Sequence, residues 1–429
     1  MSDSTPWSLR CVETGERYAG DELRYRSESG GLLEVEHDLE GLTAEGARTL
    51  FRDRSGAMGG PDASGVWRYR ELVLPVEHGE IVTMQEGNTP LYCSEALSAW
   101  TGVNWLALKH EGHNPTGSFK DRGMTAGVTA ARRLGQTAVA CASTGNTSAS
   151  MAAYAASCGL KAFVFIPAGG IAMGKLAQAI AYGSEVVQIR GNFDDAMRLV
   201  QEVCSAHGVY LLNSINPYRI EGQKAIGIEM MHQLDWLPPD WIVVPGGNLG
   251  NSSAIFKGLR ELRSIGVIDR LPRIAVIQAA GAAPLHQGFQ EAFSGGARTV
   301  PNPETLASAI RIGSPVSWGK CVDAIQTTDG VVEAVTDDEI MAAKRRVDAS
   351  GIGAEPASCA SVAGLRKLVE SGTIDARARV VCVLTGHVLK DTDAVLRGRE
   401  NVVGDAAGCE PTLSAIGDRI ERALEEGAS

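Results

Sequence analysis

Apolar and polar positions along the chain alternate between a strand period and a helix period, and from about residue 104 this alternation is regular. The strand patterns lie at 137–143, 161–167, 185–189, 209–213, 240–245, 273–279 and 379–385. The helical patterns lie at 147–159, 174–183, 193–208 and 252–265. Strands that alternate with helices predict βαβ units, a parallel sheet and right-handed crossovers. The sequence therefore predicts an α/β fold, with ligands bound beyond the carboxyl ends of the strands.

Composition narrows the classes of protein that the chain can belong to. Its 429 residues, 44% of them apolar and 21% charged, are typical of a globular protein with two domains. The formal net charge of −11 argues against nucleic acid as a partner, because phosphate backbones require a basic surface. No apolar run approaches the roughly 18–20 residues of a membrane span. Nine cysteines without paired spacing predict free thiols in the cytoplasm.

Residues 1–40 differ from the rest of the chain in their sequence pattern. Residues 11–15 (CVETG) and 27–31 (SESGG) resemble two metal-binding knuckles in their residue pattern. A structural zinc site requires four ligands, and Cys11 alone cannot supply them. We therefore expect a degenerate zinc-ribbon-like segment over 1–40 that binds no metal and is held by turns and by Leu32, Leu33 and Val35.

One lysine stands in an unusual place. Residues 113–123 read HNPTGSFKDRG, a turn-forming run that leads into Lys120, and a helical pattern starts at Asp121. A lysine on an exposed loop is usually a solvated charge. A lysine held at a strand-to-helix turn by small hydroxyl residues is instead a candidate for a positioned amine.

Two further turns between a strand and a helix are rich in small polar residues or glycines. Residues 143–148 (STGNTS) offer either an N-cap for the next helix or donors for an anion such as a carboxylate. Residues 245–252 (PGGNLGNS) are either a common Gly-rich turn or a cradle of backbone N–H groups for a phosphate. The second turn lacks the P-loop ending and the G-x-G-x-x-G spacing, so it favours a phosphate monoester over a nucleotide.

Two last segments carry candidate chemistry. Arg219, within NSINPYRIEGQK (213–224), would either form a second anion pocket or pair with Glu221 or Glu229 at the surface. Thr385 follows the last strand, where its hydroxyl can bond a ligand atom, and His387 is either structural or a general acid or base. An amine and a phosphate cradle together suggest pyridoxal 5′-phosphate, whose aldehyde needs a lysine.

Eight segments of the chain together resemble the threonine synthases, which belong to the second structural class of pyridoxal-phosphate enzymes. They are EGNTPL (86–91), HNPTGSFKDRG (113–123), ASTGNTSAS (142–150), NSINPYRIEGQK (213–224), PGGNLGN (245–251), AIRIGSPVSW (309–318), EPASCAS (355–361) and TGHVLKD (385–391). The resemblance covers about 80–392. It implies a two-domain fold of type II, tryptophan synthase beta-like, with parallel-sheet cores. A small domain over 126–215 would be inserted in a large one formed by 41–125 and 216–429.

The resemblance also implies a role for each candidate residue. Lys120 would hold the cofactor as a Schiff base and move protons. The cofactor's phosphate would be bound by Gly246, Gly247, Asn248, Leu249 and Gly250. Asn146 would contact its 3′-oxygen, and Thr385 its ring nitrogen. The substrate carboxylate would be bound by Ser143, Thr144 and Thr147. The substrate phosphate would be bound by Asn213, Ser214 and Arg219.

The implied reaction converts O-phospho-L-homoserine and water to L-threonine and phosphate by γ-elimination and β-replacement, in a homodimer. Two alternatives stay open at this point. One is a paralogue that acts on another phosphorylated amino acid, such as a cysteate synthase that uses O-phosphoserine and sulfite. The other is a ligand-binding relative without catalysis.

Overall fold

The computed structural model describes residues 5–169, 173–191, 193–397 and 410–427. The strands are β1 (Trp7–Cys11), β2 (Arg17–Ala19), β3 (Leu33–His37), β4 (Leu91–Cys93), β5 (Trp105–His110), β6 (Ala138–Ala142), β7 (Lys161–Pro167), β8 (Glu185–Ile189), β9 (Tyr210–Leu211), β10 (Trp241–Pro245), β11 (Arg273–Ala279), β12 (Val331–Val335) and β13 (Arg379–Leu384). The helices are α1 (Ala44–Arg54), α2 (Arg70–Val73), α3 (Glu95–Thr101), α4 (Lys120–Arg133), α5 (Asn146–Ser157), α6 (Met173–Ala181), α7 (Phe193–His207), α8 (Pro217–Gln233), α9 (Gly250–Ser264), α10 (Pro284–Gln290), α11 (Trp318–Thr327), α12 (Asp337–Ala349), α13 (Pro356–Glu370), α14 (Thr392–Leu396) and α15 (Leu413–Gly427).

Two sheets confirm the α/β prediction. The larger has the order β12-β11-β10-β13-β5-β4, with parallel pairs throughout except β4–β5 at one edge. The smaller, β8-β7-β6-β9, is parallel. Parallel sheets are covered on both faces, which explains why all five residues of β10 are buried and apolar. The antiparallel edge strand was not apparent from the pattern.

The strand β9 is shorter than the predicted 209–213 for a local reason. Leu212 still donates its N–H to the Ala140 carbonyl (2.8 Å). The next partner is a side chain, because the Asn213 amide pairs with both the N–H (2.9 Å) and the carbonyl (3.1 Å) of Ala142. The smaller sheet falls within the interval 126–215, and its status as a separate domain stays a prediction.

The N-terminal residues form a third sheet, antiparallel, in the order β2-β1-β3. Leu33 and Val35 are buried, as the sequence predicted. The last residue of β3, His37, contacts helix α8 through its Nε2, which lies 2.7 Å from a Glu221 carboxylate oxygen. The segment is therefore packed against the helices that carry part of the candidate site.

Helix α8 packs closely against both α4 and α9, because glycines lie at the two contacts. A Cβ on Gly222 of α8 would lie 1.7 Å from the carbonyl oxygen of Arg122 on α4. A Cβ on Gly258 of α9 would lie 2.7 Å from the carbonyl oxygen of Lys224. Only glycine permits helix backbones to approach this closely, so these positions fix the spacing of the three helices.

A buried ion-pair network joins α4 to α8 and β5. Arg122 contacts Glu111 (2.7 Å) and Glu229 (2.8 Å), and Lys109 contacts Glu229 (2.5 Å). Burial alone would raise the pKa of Glu229, but Arg122 and Lys109 outweigh burial and hold that pKa well below its ordinary value. Glu229 also accepts the backbone N–H groups of Asn88 and Thr89, at 2.8 and 3.0 Å. These bonds tie the segment before β4 to the helix core.

The chain divides into two compact units, Met1–Lys390 and Asp391–Ser429. The second unit contains α14 and α15. Within the described parts of the chain, no helix is long and apolar enough to cross a membrane.

We predict that Glu229→Ala lowers the free energy of unfolding by about 3–5 kcal/mol, because it leaves two buried cations without their carboxylate. Chemical denaturation of both proteins measures the change. The matched control is Asp375→Ala, which breaks the exposed pair with Arg377 and should change stability far less, because solvent screens exposed ion pairs. Equal effects of the two substitutions would contradict the role given to the buried network.

Candidate active site

Lys120 is the first residue of α4, one position earlier than the sequence predicted, and the turn before it is fixed at both ends. Gly117 has φ +86° and donates its N–H to the Asn114 carbonyl (2.8 Å). Phe119 donates its N–H to the carbonyl of Thr385 (3.0 Å), directly after β13. The turn therefore holds Lys120 at the carboxyl end of a strand in the larger sheet.

Lys120 is a half-buried residue, and its amine has no direct polar contact within the described chain. It forms no hydrogen bond or ion pair with the residues that the structure describes, and it lies 3.9 Å from the centroid of the Phe119 ring. Burial lowers the pKa of this amine from 10.5 to about 7, the Arg219 guanidinium lowers it as well, and Glu355 acts in the opposite direction. A substantial fraction of the amine is thus neutral at neutral pH, the form that attacks an aldehyde or accepts a proton.

The Gly-rich turn after β10 brings bare backbone close to neighbouring chain segments. A Cβ on Gly246 would lie 2.6 Å from Val276 Cγ1, and one on Gly247 would lie 3.1 Å from Ile310 Cα. Leu249 adopts the left-handed conformation with φ +63°, and α9 begins at Gly250. The first N–H groups of α9 have no helical acceptor, so this turn is suited to an anion.

Asn248 connects this turn to the segment that precedes α8. Its side-chain Nδ2 lies 3.3 Å from Ser214 Oγ, and its Oδ1 accepts the N–H of Val316 (3.2 Å). Two segments that the sequence proposed separately, 245–252 and 213–224, therefore meet.

Arg219 is buried, with 3% of its surface exposed, and it makes no ion pair with any described residue. One guanidinium nitrogen donates to the Leu212 carbonyl (3.1 Å), and Nε has no partner. The alternative of a surface salt bridge is wrong, because Glu221 pairs with Lys224 and Glu229 pairs with Arg122 and Lys109. Burial lowers the pKa of Arg219 to about 10, so it remains charged at neutral pH.

Asn213 follows Leu212, whose carbonyl accepts a hydrogen bond from Arg219, but the Asn213 side-chain amide is already hydrogen-bonded to the protein. Both amide atoms pair with the backbone of Ala142, and 5% of the residue is exposed. This pairing joins the end of β6, and hence the 143–147 loop, to the segment before α8. Direct contact between Asn213 and a substrate stays a prediction.

The loop at 143–147 is partly exposed and leaves the start of α5 uncapped. The N-cap residue is Gly145, which has no side chain, so the capping alternative is wrong for this helix. Ser143 Oγ accepts the Gly145 N–H (3.3 Å), while the hydroxyls of Thr144 and Thr147 bond to no described residue. A Cβ on Gly145 would meet nothing within 4 Å. Hydroxyl and backbone donors thus remain available at a helix N-terminus.

Thr385 is buried at the end of β13, and its hydroxyl lies 3.0 Å from Ser358 Oγ at the start of α13. Ser358 Oγ also accepts the N–H of Gly386 (2.9 Å). Ser358 was not identified from the sequence, although it lies in the EPASCAS segment. It orients the Thr385 hydroxyl.

Glu355 is a second residue that the sequence did not single out. Its carboxylate oxygens lie 3.2 and 3.3 Å from Asn146 Nδ2, and its charge raises the pKa of Lys120. A Cβ on Gly386 would lie 2.4 Å from this carboxylate. A glutamate followed by proline is a common way to start a helix, so the sequence carried no separate signal for this contact.

The His387 ring lies near other histidine rings, and its contacts are with them and not with Lys120. Its centroid is 6.5 Å from that of His110, which is 4.7 Å from that of His113. His387 Nδ1 accepts the N–H of Leu389 (3.2 Å), and its backbone N–H donates to the Gly117 carbonyl (2.9 Å). These contacts favour the structural interpretation of His387.

Comparison with known families gives a match to the family model described as "Pyridoxal-phosphate dependent enzyme" over residues 82–386. Among curated proteins, the threonine synthase of Methanocaldococcus jannaschii is 49% identical over 397 residues, 92% of this chain and 95% of that protein. The threonine synthase of Methanosarcina acetivorans is 50% identical over 394 residues, 91% of this chain and 94% of that protein.

Solved structures are similar in fold. The processed form of threonine deaminase isoform 2 from Solanum lycopersicum superposes with a TM-score of 0.62 at 23% identity, covering 73% of this chain and 88% of that one. Maize serine racemase superposes with a TM-score of 0.61 at 21% identity, covering 80% and 94%. At this identity the likeness concerns the fold alone.

We predict that acetylation of Lys120 in cofactor-free protein rises with pH through a midpoint near 7, because the reactive form is the neutral amine. Arg219→Gln should move this midpoint upward, since it removes a positive charge that disfavours the protonated amine. The pH dependence is measured by mass spectrometry of the Lys120 peptide. Arg133→Gln, at the opposite end of α4, is the matched control and should leave the midpoint in place. If the midpoint is the same with and without the Arg219→Gln substitution, the electrostatic coupling between the two residues is contradicted.

Proposed function

The chain belongs to the pyridoxal-phosphate-dependent enzymes and, within them, to the threonine synthases, and we propose on this basis that it converts O-phospho-L-homoserine and water to L-threonine and phosphate. The observation that supports a phosphorylated substrate is Arg219, a buried cation that has no carboxylate partner among the described residues and acts electrostatically on the nearby Lys120 amine. In a chain with a net charge of −11, a buried guanidinium of this kind favours a bound anion such as a phosphate.

The residues present fit pyridoxal 5′-phosphate. The cofactor needs a neutral amine for its aldehyde, a cradle for its phosphate and a polar group at its ring nitrogen. Lys120 has a pKa of about 7, and the turn at 245–250 presents backbone without side chains. Next to that turn, both amide atoms of Asn251 are buried without a partner, as expected where a ligand or water completes the site.

We assign the cofactor contacts residue by residue. Lys120 holds the aldehyde, Asn146 contacts the 3′-oxygen and Thr385 contacts the ring nitrogen. The residues of the phosphate cradle are Gly246, Gly247, Asn248, Leu249 and Gly250. Thr385 is a neutral hydroxyl, which does not enforce a protonated ring as an aspartate would.

The substrate contacts follow from the two anion sites. Ser143, Thr144 and Thr147 bind the carboxylate at the uncapped start of α5. Asn213, Ser214 and Arg219 bind the phosphate. Arg219 is suited to the dianion that leaves, because its guanidinium donates in a fork geometry and stays charged at neutral pH.

Pyridoxal 5′-phosphate, when bound, withdraws electrons from the substrate's α-carbon and so acidifies the neighbouring C–H bonds. Lys120, neutral in part at neutral pH, removes the α-proton. Loss of a β-proton accompanies departure of phosphate from the γ-carbon, where Arg219 holds the leaving oxygens. A proton is then delivered to the γ-carbon, the elements of water add with the hydroxyl at the β-carbon, and Lys120 returns the α-proton.

The N-terminal sheet is proposed to be a degenerate zinc ribbon. The turns at 11–15 and 27–31 face each other, since Cys11 Sγ lies 3.3 Å from Ser27 Oγ. Gly15 and Gly30 close the two turns with N–H bonds to the Cys11 and Ser27 carbonyls, each 2.9 Å. Hydrogen bonds thus connect the positions that a metal would otherwise bridge. Elemental analysis that finds stoichiometric zinc would contradict this proposal.

We also propose that residues 126–215 form a small domain within the larger one, that the enzyme is a homodimer and that it is cytoplasmic. The domain proposal is supported by the separate parallel sheet β8-β7-β6-β9 within this interval. The homodimer follows from family resemblance. The cytoplasmic location is supported by the free cysteines of the described chain.

We predict that Lys120→Ala abolishes formation of threonine, lowering the rate by at least about 1,000-fold, because it removes both the covalent anchor and the base. The purified variant should also lack the visible absorbance of lysine-bound pyridoxal. Threonine and phosphate are measured after addition of O-phospho-L-homoserine. Lys161→Ala, at an exposed position in β7, should retain both properties. Loss of neither property in Lys120→Ala would exclude the proposed enzyme function.

A second test separates the threonine synthase from a cysteate synthase and from a ligand-binding protein. The protein is incubated with O-phospho-L-homoserine, or with O-phosphoserine and sulfite, and threonine, cysteate and phosphate are measured. We expect threonine from the first substrate and no cysteate from the second. Arg219→Lys should raise KM for the phosphorylated substrate roughly 10-fold or more, because the point charge remains but the fork geometry is lost. Cysteate as the product would favour the paralogue.

A further inference from the structure

Gln223 lies one turn after Arg219 on α8 and has no assigned role. It is 4% exposed, and its amide makes no hydrogen bond or other polar contact with any residue in the described parts of the chain. Neither amide atom is among the fully enclosed unpaired atoms of the described chain, so the small exposed part of Gln223 includes its amide. The amide therefore faces a space that a ligand or water can enter, and a polar side chain with so little exposure usually has such a partner.

Gln223 lies between the helix that begins with the lysine and the helix that begins after the Gly-rich turn. A Cβ on Gly123 of α4 would lie 2.7 Å from Gln223 Nε2 and 3.2 Å from its Cγ. A Cβ on Gly250, the first residue of α9, would lie 4.0 Å from Gln223 Oε1. Glycine at position 123 leaves room for the amide, and the approach to Gly250 places the amide beside the N-terminus of α9.

The charges around this position favour an anion. Arg219, one turn before Gln223, lacks a carboxylate partner among the described residues, and α9 adds the positive end of its dipole. The carboxylate of Glu221, two positions before Gln223, is bound instead to Lys224 and Lys257. A neutral amide that donates hydrogen bonds complements such a site without adding a further charge.

We infer that the side-chain amide of Gln223 binds a phosphate monoester at the N-terminus of α9. The inference rests on the proposed function in one respect, since the phosphate is carried either by the cofactor or by the substrate. The chemistry is the same in both cases: an N–H donor of Gln223 meets a phosphate oxygen.

Two variants test the inference. Gln223→Glu keeps the size of the side chain but places a negative charge against the phosphate, and Gln223→Met keeps its approximate volume but removes the donor. Gln326→Glu, at an exposed position in α11, is the matched control for an added negative charge. Thermal melting of each variant identifies any that fails to fold, and if Gln223→Glu fails, Gln223→Met decides.

The first measurement titrates full-length protein, freed of its cofactor, with pyridoxal 5′-phosphate and with pyridoxal, which lacks the phosphate. If Gln223 binds the cofactor's phosphate, Gln223→Met weakens binding of pyridoxal 5′-phosphate roughly 10- to 100-fold, and binding of pyridoxal stays unchanged. Gln223→Glu should weaken binding more than Gln223→Met.

The second measurement uses the cofactor-loaded enzyme. If Gln223 binds the substrate's phosphate, cofactor affinity is retained while the dissociation constant for inorganic phosphate and KM for O-phospho-L-homoserine rise roughly 10-fold or more. The control variant should change neither quantity by more than about twofold.

Folded Gln223 variants that bind pyridoxal 5′-phosphate and inorganic phosphate as the unmodified protein does would overturn the inference. The binding measurements require no turnover, so they decide it even if the protein forms no threonine. Conversely, threonine formation together with unchanged phosphate affinities would leave the proposed function in place and remove only the role of Gln223.

Discussion

The contact between α4 and α8 is the constraint on which the rest of the site depends. Gly222 permits the backbone of α8 to meet the Arg122 carbonyl, and Arg122 in turn is held by Glu111 and Glu229. Because Lys120 begins α4 and Arg219 lies in the first turn of α8, this contact sets the distance between the two cations. A glycine and a buried ion-pair network, neither of which is among the proposed ligand contacts, thus set the relative positions of Lys120 and Arg219.

Cations that pair with a carboxylate and cations that do not have different roles in this protein. Lys109, Lys224 and Lys257 each have a carboxylate partner, and they join helices and strands. Arg219 is buried without an ion pair among the described residues, so an anion that binds beside it lowers the free-energy cost of burying its charge. The same low-dielectric surroundings lower the pKa of Lys120 and strengthen its response to Arg219. Burial therefore prepares both the proposed base and the proposed anion pocket.

Several features of the site were accessible from the sequence because they depend on local backbone chemistry. The run at 113–119 and the glycines at 246 and 247 are residue types that favour turns, and the sequence shows them directly. The contact of Asn146 with Glu355 was not accessible, since 209 residues separate them and nothing local distinguishes Glu355 from an ordinary helix start. Ser358, Asn213 and His387 likewise received their roles from partners on other elements. Hydrogen bonds over such separations depend on how the sheets are ordered.

The sequence by itself determined the alternation of strands and helices, the turns that follow the strands and the residue types available at each turn. These follow from periodicity and from the conformational preferences of glycine, proline and small polar residues. The tertiary structure decided which turns meet, which cations keep a carboxylate and which amides remain without a partner. Those properties depend on the separation of groups far apart in the chain, and the separation is set by sheet order and by the glycine-mediated packing of α4, α8 and α9.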